Sequence, residues 1–451
     1  MTGSNFKNNS DNPGCSPELP SRRSPENKLR LTRRLFGRAV LSASALAASR
    51  SMLINSALAA EPIKIGFGIA QSGPLAGNGK SALLAMKIWE EEINAKGGLL
   101  GRPVQLVYYD DQSNPATVPA IYTKLLDVDK VDLVVGGYAT NMLAPALPVV
   151  IPRNKLFLGL FGLTINEAFN YPRYFAMHPT GENSQGAHTA PFFDVAMAQN
   201  PKPQTVAIVA ADAEFSHTAA EGARVNATKA GLKIIYDRSY PPSTTDFSPI
   251  VRSIGATNPD LVVICSYPLD SVGMVRAVHE VGLKPKMIGG AMVGLQGTAL
   301  KTQLGPLLNG FVNFEFWLPV PSLMFPGVRE LLDKYQARAS AEGVDPLGYY
   351  LAPWGYAYLQ VLGQAIAATN SLDDGKLADT MRQTTFKTVI GDVKFGAKGE
   401  WAKTRVLQTQ YRNIKGNSID DFRDVTKTQV IIAPAEYKTG EVIYPYANAV
   451  E

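Results

Sequence analysis

The sequence predicts an α/β protein of two doubly wound, Rossmann-like lobes. Short continuous Val/Ile/Leu runs alternate with helical segments from residue 63 onward. That pattern belongs to parallel sheets covered by helices on both faces. The strands outnumber one ordinary sheet, and 451 residues suffice for two domains with good cores.

The elements follow in order. Residues 63–70 read as a strand and 81–95 as an amphipathic helix. Glu90 to Pro115, EEEINAKGGLLGRPVQLVYYDDQSNP, is the most informative stretch. Its helix ends at Lys96, and Gly97-Gly98 stops it, because glycine takes the left-handed conformation without a Cβ penalty. A turn at Gly101-Arg102 leads into a strand over 104–109, with Asp110-Asp111 at its exit. Asn114-Pro115 opens the next helix, since Pro at a first helical position costs no hydrogen bond. Further strands are expected at 131–136, 155–160, 206–210, 233–238, 261–265 and 286–288. Helices are expected at 142–151, 182–198, 215–230, 246–256, 269–281, 326–342 and 349–369, and another strand at 406–412.

Charge assigns the amino terminus a separate role. Of 44 Lys and Arg and 39 Asp and Glu, nine and three fall in residues 1–60, leaving 35 and 36 elsewhere. The net charge of +5 therefore belongs to the leader, and no nucleic-acid partner is expected. The order Thr32-Arg33-Arg34-Leu35-Phe36-Gly37-Arg38, an apolar run from Ala39 to Ala48, and Ala57-Leu58-Ala59 is that of a twin-arginine signal peptide. Cleavage is expected near Ala59 and a periplasmic location follows. No other run approaches about 18 apolar residues, so no stable membrane insertion of the mature chain is expected. Cys15 leaves with the leader, and Cys265, within VVIC, reads as a buried inert thiol.

The stretch at 90–115 resembles the leucine/isoleucine/valine-binding family of solute-binding proteins, which serve bacterial ABC importers. In that family a helix ending IN-x-x-GG, a G-x-x-(V/L)-x-L strand, a D-D exit and a downstream Pro recur near the mature amino terminus. The resemblance covers most of 62–446. It implies a type I periplasmic binding fold with a three-segment hinge, crossing near 178–181, 314–319 and 388–392. Lobe 1 would take 62–178 and 319–388, and lobe 2 would take 181–316 and 392–432, with strands near Val393 and 406–412 rejoining it. Residues 433–451 would form a tail. The implied partners are a small-molecule ligand and the transmembrane subunits of an ABC permease.

Candidate site residues sit where strands end, since ligands of open sheets bind outside strand carboxyl ends. Gly66-Phe67-Gly68-Ile69-Ala70-Gln71 lacks the third glycine of a dinucleotide fingerprint, so no nucleotide is expected. The loop Ser72-Gly73-Pro74-Leu75-Ala76-Gly77-Asn78-Gly79 resembles the family's S-G-P-x-A loop, with Ser72 and Asn78 toward the ligand. Gly136-Gly137-Tyr138-Ala139-Thr140-Asn141 offers glycine, a hydroxyl and free helix-start amides, which together make an anion site. A plain helix cap by Thr140 is the alternative. In the family this loop holds the ligand carboxylate, which implicates Tyr138, Thr140 and Asn141. The resemblance places a second contact at Gly162 and Thr164, and aromatic contacts at Phe215 and Tyr267.

One departure bears on the ligand. The family's amino-acid binders carry a carboxylate for the ligand ammonium in a glycine-rich loop, and Ala291 of Gly289-Gly290-Ala291-Met292-Val293-Gly294 stands in that place. Breaking a buried ion pair costs about 3–5 kcal/mol. Either Asp212, Glu214 or Glu315 substitutes, or the ligand lacks an α-ammonium. The second reading is preferred: an aromatic or aliphatic carboxylate or amide, walled by Phe161, Phe215, Tyr267, Phe316 and Trp317.

No catalytic, metal or cofactor site is expected. G-x-S-x-G and H-E-x-x-H are absent, and His178, His188, His217 and His279 lack metal-ligand spacing, so their expected role is structural or solvated. The function expected is therefore solute delivery to a permease by hinge closure. The alternatives are a ligand-sensing receptor module of the same fold or an exported α/β enzyme.

Overall fold

The computed structural model describes residues 61–450. The expected leader, with its expected twin-arginine motif and cleavage site, lies outside the described residues.

Two large sheets organise the chain. The first has strand order β2-β1-β3-β4-β5, all parallel. Its strands are β1 (Ile63–Ile69), β2 (Val104–Asp110), β3 (Leu133–Val135), β4 (Phe157–Gly159) and β5 (Tyr174–Ala176). The second sheet holds β6 (Thr205–Ala211), β7 (Lys233–Tyr240), β8 (Leu261–Ser266), β9 (Met287–Met292) and β10 (Val312–Glu315). These run parallel in the order β7-β6-β8-β9-β10. Beyond β10, the antiparallel strands β13 (Leu407–Tyr411) and β14 (Gln429–Ala433) complete seven. Both parallel cores thus share one winding, and each reverses direction beside its first strand. That reversal opens a crevice at the strand carboxyl ends.

The strands form for the expected reason. β1, β6 and β8 are nearly continuous apolar runs, with almost every side chain buried. Long helices cover the sheets. Helices Val328–Glu342 and Ala352–Thr369 pack on helix Ala76–Ala95. Gly355 permits the closest approach, because an added Cβ would stand 2.8 Å from the Ala82 carbonyl oxygen. Cys265 is buried in β8.

Several local expectations are corrected. The first helix begins at Ala76, not 81, so Gly77, Asn78 and Gly79 belong to its first turn. Residues 142–151 form a broken series of short α and 3-10 turns, interrupted by Pro145 and Pro148, which cannot donate helical hydrogen bonds. β5, β10 and β14 were not expected, and each is five residues or fewer. The strand near Val393 does not join the seven-stranded sheet. It is β12 (Gly391–Lys394), paired antiparallel with β11 (Thr385–Thr388) in a separate ribbon. Gly289 to Met292 is part of β9 and not a loop.

Candidate functional site

The carboxyl ends of both sheets converge on a small aromatic cavity. From the first sheet come Tyr138, Ala139 and Thr140 after β3, Phe161 after β4 and His178 after β5. From the second come Phe215 after β6, Tyr267 after β8, Val293 after β9 and Phe314 on β10. His188, at the end of helix Ser184–Ala187, and Tyr350, just ahead of helix Ala352–Thr369, complete the lining. The cavity measures about 20 Å³, room for roughly one water. Eight of its eleven lining residues carry rings and none carries a carboxylate or an ammonium or guanidinium group, so its chemistry is largely aromatic, with hydroxyls and imidazoles as its polar groups.

Local backbone geometry explains how the loops reach the cavity. At Gly137 an added Cβ would meet the Gly68 carbonyl oxygen at 2.0 Å, so only glycine lets the β3 loop lie this close to β1. Ala139 follows with φ +84°, and Thr164 has φ +56°. Non-glycine residues held at positive φ cost about 1–3 kcal/mol and cluster at functional loops. The Thr140 hydroxyl accepts the Leu163 amide at 3.1 Å. It therefore ties the β3 loop to the β4 loop and does not cap its own helix, where no side-chain cap bond forms.

Polar contacts fix the rings. The Tyr138 hydroxyl accepts from Asn78 Nδ2 at 2.9 Å and shares a hydrogen bond with the Tyr350 hydroxyl at 3.0 Å. Burial pushes the Tyr138 phenol up to about 12. The Tyr267 hydroxyl accepts the Phe215 amide at 3.1 Å. Phe161 stacks on His178, with centroids 5.0 Å apart, and meets Phe316 and Trp354 at 5.1 Å each. Burial lowers the His178 imidazole to about 4, and it lowers His188 well below the ordinary histidine range, with repulsion from His178 adding to it.

Of the residues singled out in the sequence, the structure brings Tyr138, Thr140, Phe215 and Tyr267 to the cavity. Asn78 braces Tyr138 and lines a neighbouring cavity of about 310 Å³, which Tyr350 also borders. Gly162 is buried behind the lining. Asn141 faces a separate open cavity, its buried Oδ1 without a protein partner. Ser72 is exposed, and its hydroxyl donates to Asp110 at 2.6 Å. Thr164 sits at the start of helix Ile165–Phe169, outside the lining. Ala291 is corrected: it lies within β9 opposite Cys265, fully buried, and Val293 takes the cavity-facing place.

The candidate substitute acids are also placed elsewhere. Asp212 pairs with His217 at 2.8 Å, and Glu214 is exposed. Glu315 is buried, but it accepts from Gln429 at 2.9 Å and stands 3.8 Å from Lys301. Trp317 donates to the Leu323 carbonyl and packs on Tyr349, away from the cavity. His178, His188, Val293, Phe314 and Tyr350 were not foreseen as lining. One signal was available: His178 ends the apolar run Tyr174-Phe175-Ala176-Met177, beside the expected first crossover.

Comparison with known proteins places this geometry. Residues 62–415 match the sequence pattern of a periplasmic binding protein family. The Leu/Ile/Val-binding protein of Escherichia coli (strain K12) is 25% identical over 360 residues, covering 79% of this chain and 92% of that protein. A leucine-, isoleucine-, valine-, threonine-, and alanine-binding protein of Pseudomonas aeruginosa is 24% identical over 374 residues, covering 83% and 93%. Among solved structures, a leucine binding protein from Thermotoga maritima MSB8 superposes with a TM-score of 0.68 at 18% identity, covering 79% and 96%. A solute binding protein of an ABC transporter from Rhodopseudomonas palustris BisB5, in complex with 3,4-dihydroxy benzoic acid, gives 0.63 at 18%, covering 78% and 92%. Among the described residues, no helix is long and apolar enough to cross a membrane.

Proposed function

This chain belongs to the periplasmic binding protein family, and from that premise we propose that it carries a small organic acid lacking an α-ammonium to an ABC permease. The observation that carries the ligand class is the uncharged aromatic lining of the interlobe cavity, with no carboxylate in it to meet an ammonium; at about 20 Å³ the cavity admits an aromatic acid only when the lobes move apart. A structure of the same fold holds 3,4-dihydroxybenzoic acid, so the architecture accommodates such a ligand. The lobes divide near 178–181 and 314–319 and again between β12 and β13, since the turn at 388–392 lies within the β11–β12 ribbon, and they close on the ligand as a hinge. Tyr138 and Thr140 act from one side and Phe215 and Tyr267 from the other. Only the closed form touches the ligand on both sides, so binding shifts the open–closed equilibrium toward it. The leader directs export, by the twin-arginine route, to the periplasm.

The names of the sequence relatives favour a second reading, a branched-chain amino acid. Thermal shift separates the two. A ligand at 100 times its dissociation constant adds about 2.7 kcal/mol of stability. Aromatic acids are expected to raise the melting temperature and leucine, isoleucine and valine are not. The opposite pattern overturns the ligand class. Turnover of any acid in the panel would favour an enzyme.

A further inference from the structure

Two buried histidines face the aromatic cavity with unmet hydrogen-bonding capacity. His178, 3% exposed, follows β5, and His188, 0% exposed, ends helix Ser184–Ala187. Their rings meet edge to face with centroids 4.9 Å apart. Both nitrogens of His188 and Nδ1 of His178 are buried without a protein partner. The His188 ring also meets Phe314 at 4.8 Å, Phe215 at 5.4 Å and Phe316 at 5.6 Å, and Gln408 Nε2 donates to its backbone carbonyl at 2.9 Å. Folded proteins rarely leave buried polar atoms unpaired, and both histidines line the cavity, so these nitrogens offer bonds that a ligand there can complete.

The surroundings hold no ready counter-charge. Tyr138, Tyr267 and Tyr350 are the other titratable groups of the lining. Glu315, the last residue of β10, lies between Phe314 and Phe316, but Gln429 and Lys301 engage it. Glu167 reaches the helix of His188 only through Ser184, at 3.4 Å. Arg405 stacks on Trp354, one ring removed from Phe161. Both imidazoles are neutral at neutral pH, because burial disfavours their charged forms.

We propose that His178 and His188 are the polar anchor of the interlobe site, and that they take up one proton from solvent when an aromatic carboxylate binds. This rests on the ligand class proposed above. An unpaired carboxylate in so apolar a cavity is costly, several kcal/mol per ion. One solvent proton added to the imidazole pair gives an imidazolium–carboxylate contact with no net buried charge. Two imidazolium ions this close would repel, so the pair holds one proton and the neutral ring serves as its hydrogen-bond partner.

Titration calorimetry with 3,4-dihydroxybenzoate and benzoate tests this, in phosphate and in Tris, whose ionisation heats differ. The wild-type protein at pH 7 is expected to take up close to one proton per ligand. Its affinity should weaken by up to tenfold per unit as pH rises, because the complex holds the extra proton. His188→Phe keeps a ring but no nitrogen. It should lose proton uptake and at least tenfold in affinity, with ligand-free melting showing that it is folded. Wild-type binding without proton uptake, or unchanged affinity and uptake in a folded His188→Phe, overturns the anchor while the ligand class stands. Should the phenylalanine variant not fold, the wild-type proton count decides. If neither acid binds, or only leucine, isoleucine or valine does, the ligand class itself falls and the anchor with it.

Discussion

The hydroxyl of Thr140 accepts the amide of Leu163 at 3.1 Å, joining the loops that follow β3 and β4. The sequence offered two roles for Thr140, a helix cap or an anion contact. The structure shows a third, and Thr140 still borders the cavity.

Thr140→Ala leaves the buried Leu163 amide without its partner, which costs about 1–3 kcal/mol. Melting of the ligand-free variant should show that loss, and ligand affinity should fall with it. Thr140→Ser should restore most of both. An unchanged melting temperature in the alanine variant would show the bond to be dispensable.

Ala139→Gly tests the strain of the same loop. Relief of the φ +84° conformation is worth about 1–3 kcal/mol, and glycine's extra chain entropy takes back roughly 0.5–1. Despite losing a buried methyl group, the variant should melt at or above the wild-type temperature. A clear drop would mean that the methyl packs more than the backbone strains.

Stability should fall as pH rises from about 6.5 to 8. Burial, aided by repulsion from Glu167, raises the Glu400 carboxyl to about 8, and both its oxygens lack protein partners. In that window the folded chain keeps a proton that the unfolded chain releases. The slope is at most about 1.4 kcal/mol per pH unit. Glu400→Gln should flatten it in denaturant titrations. Below pH 6.5 the sign reverses for His178, which is lowered to about 4: the unfolded chain binds the proton first, so acid destabilises.

Ala291→Asp and Val293→Asp should behave differently. At Ala291 the new carboxylate enters the middle of β9 and is buried unpaired, so folding suffers by several kcal/mol. At Val293 it enters the cavity, and calorimetry should show a gain in affinity for leucine over the aromatic acids. A leucine gain at Ala291 instead would return that position to the site.

Individual elements show what was legible beforehand. The helix end at Lys96, the Gly97-Gly98 stop and the strand from Val104 lie where local rules put them, because capping and periodicity act within a few residues. Phe215 and Tyr267 were legible through the family resemblance, at positions that follow β6 and β8 and that the structure puts at the start of the next helices. β5 and β10 escaped notice because runs of three or four residues carry little periodicity. Their pairing depends on neighbours far along the chain. Ala291 was misplaced for a related reason: a pair of glycines reads as a loop, and only the ladder to β8 reveals a strand.

The sequence by itself determined the alternation of strands and helices, the family resemblance and the location of excess positive charge in residues 1–60. All of these are written in short windows or in composition. The tertiary structure alone decided which side chains meet. It joined His178 to His188 across the change of sheets, set Tyr350 against Tyr138, and sent Glu315 to Lys301 and Gln429. Such contacts link residues up to 212 positions apart, and which of them form depends on how both sheets pack, which no local pattern records.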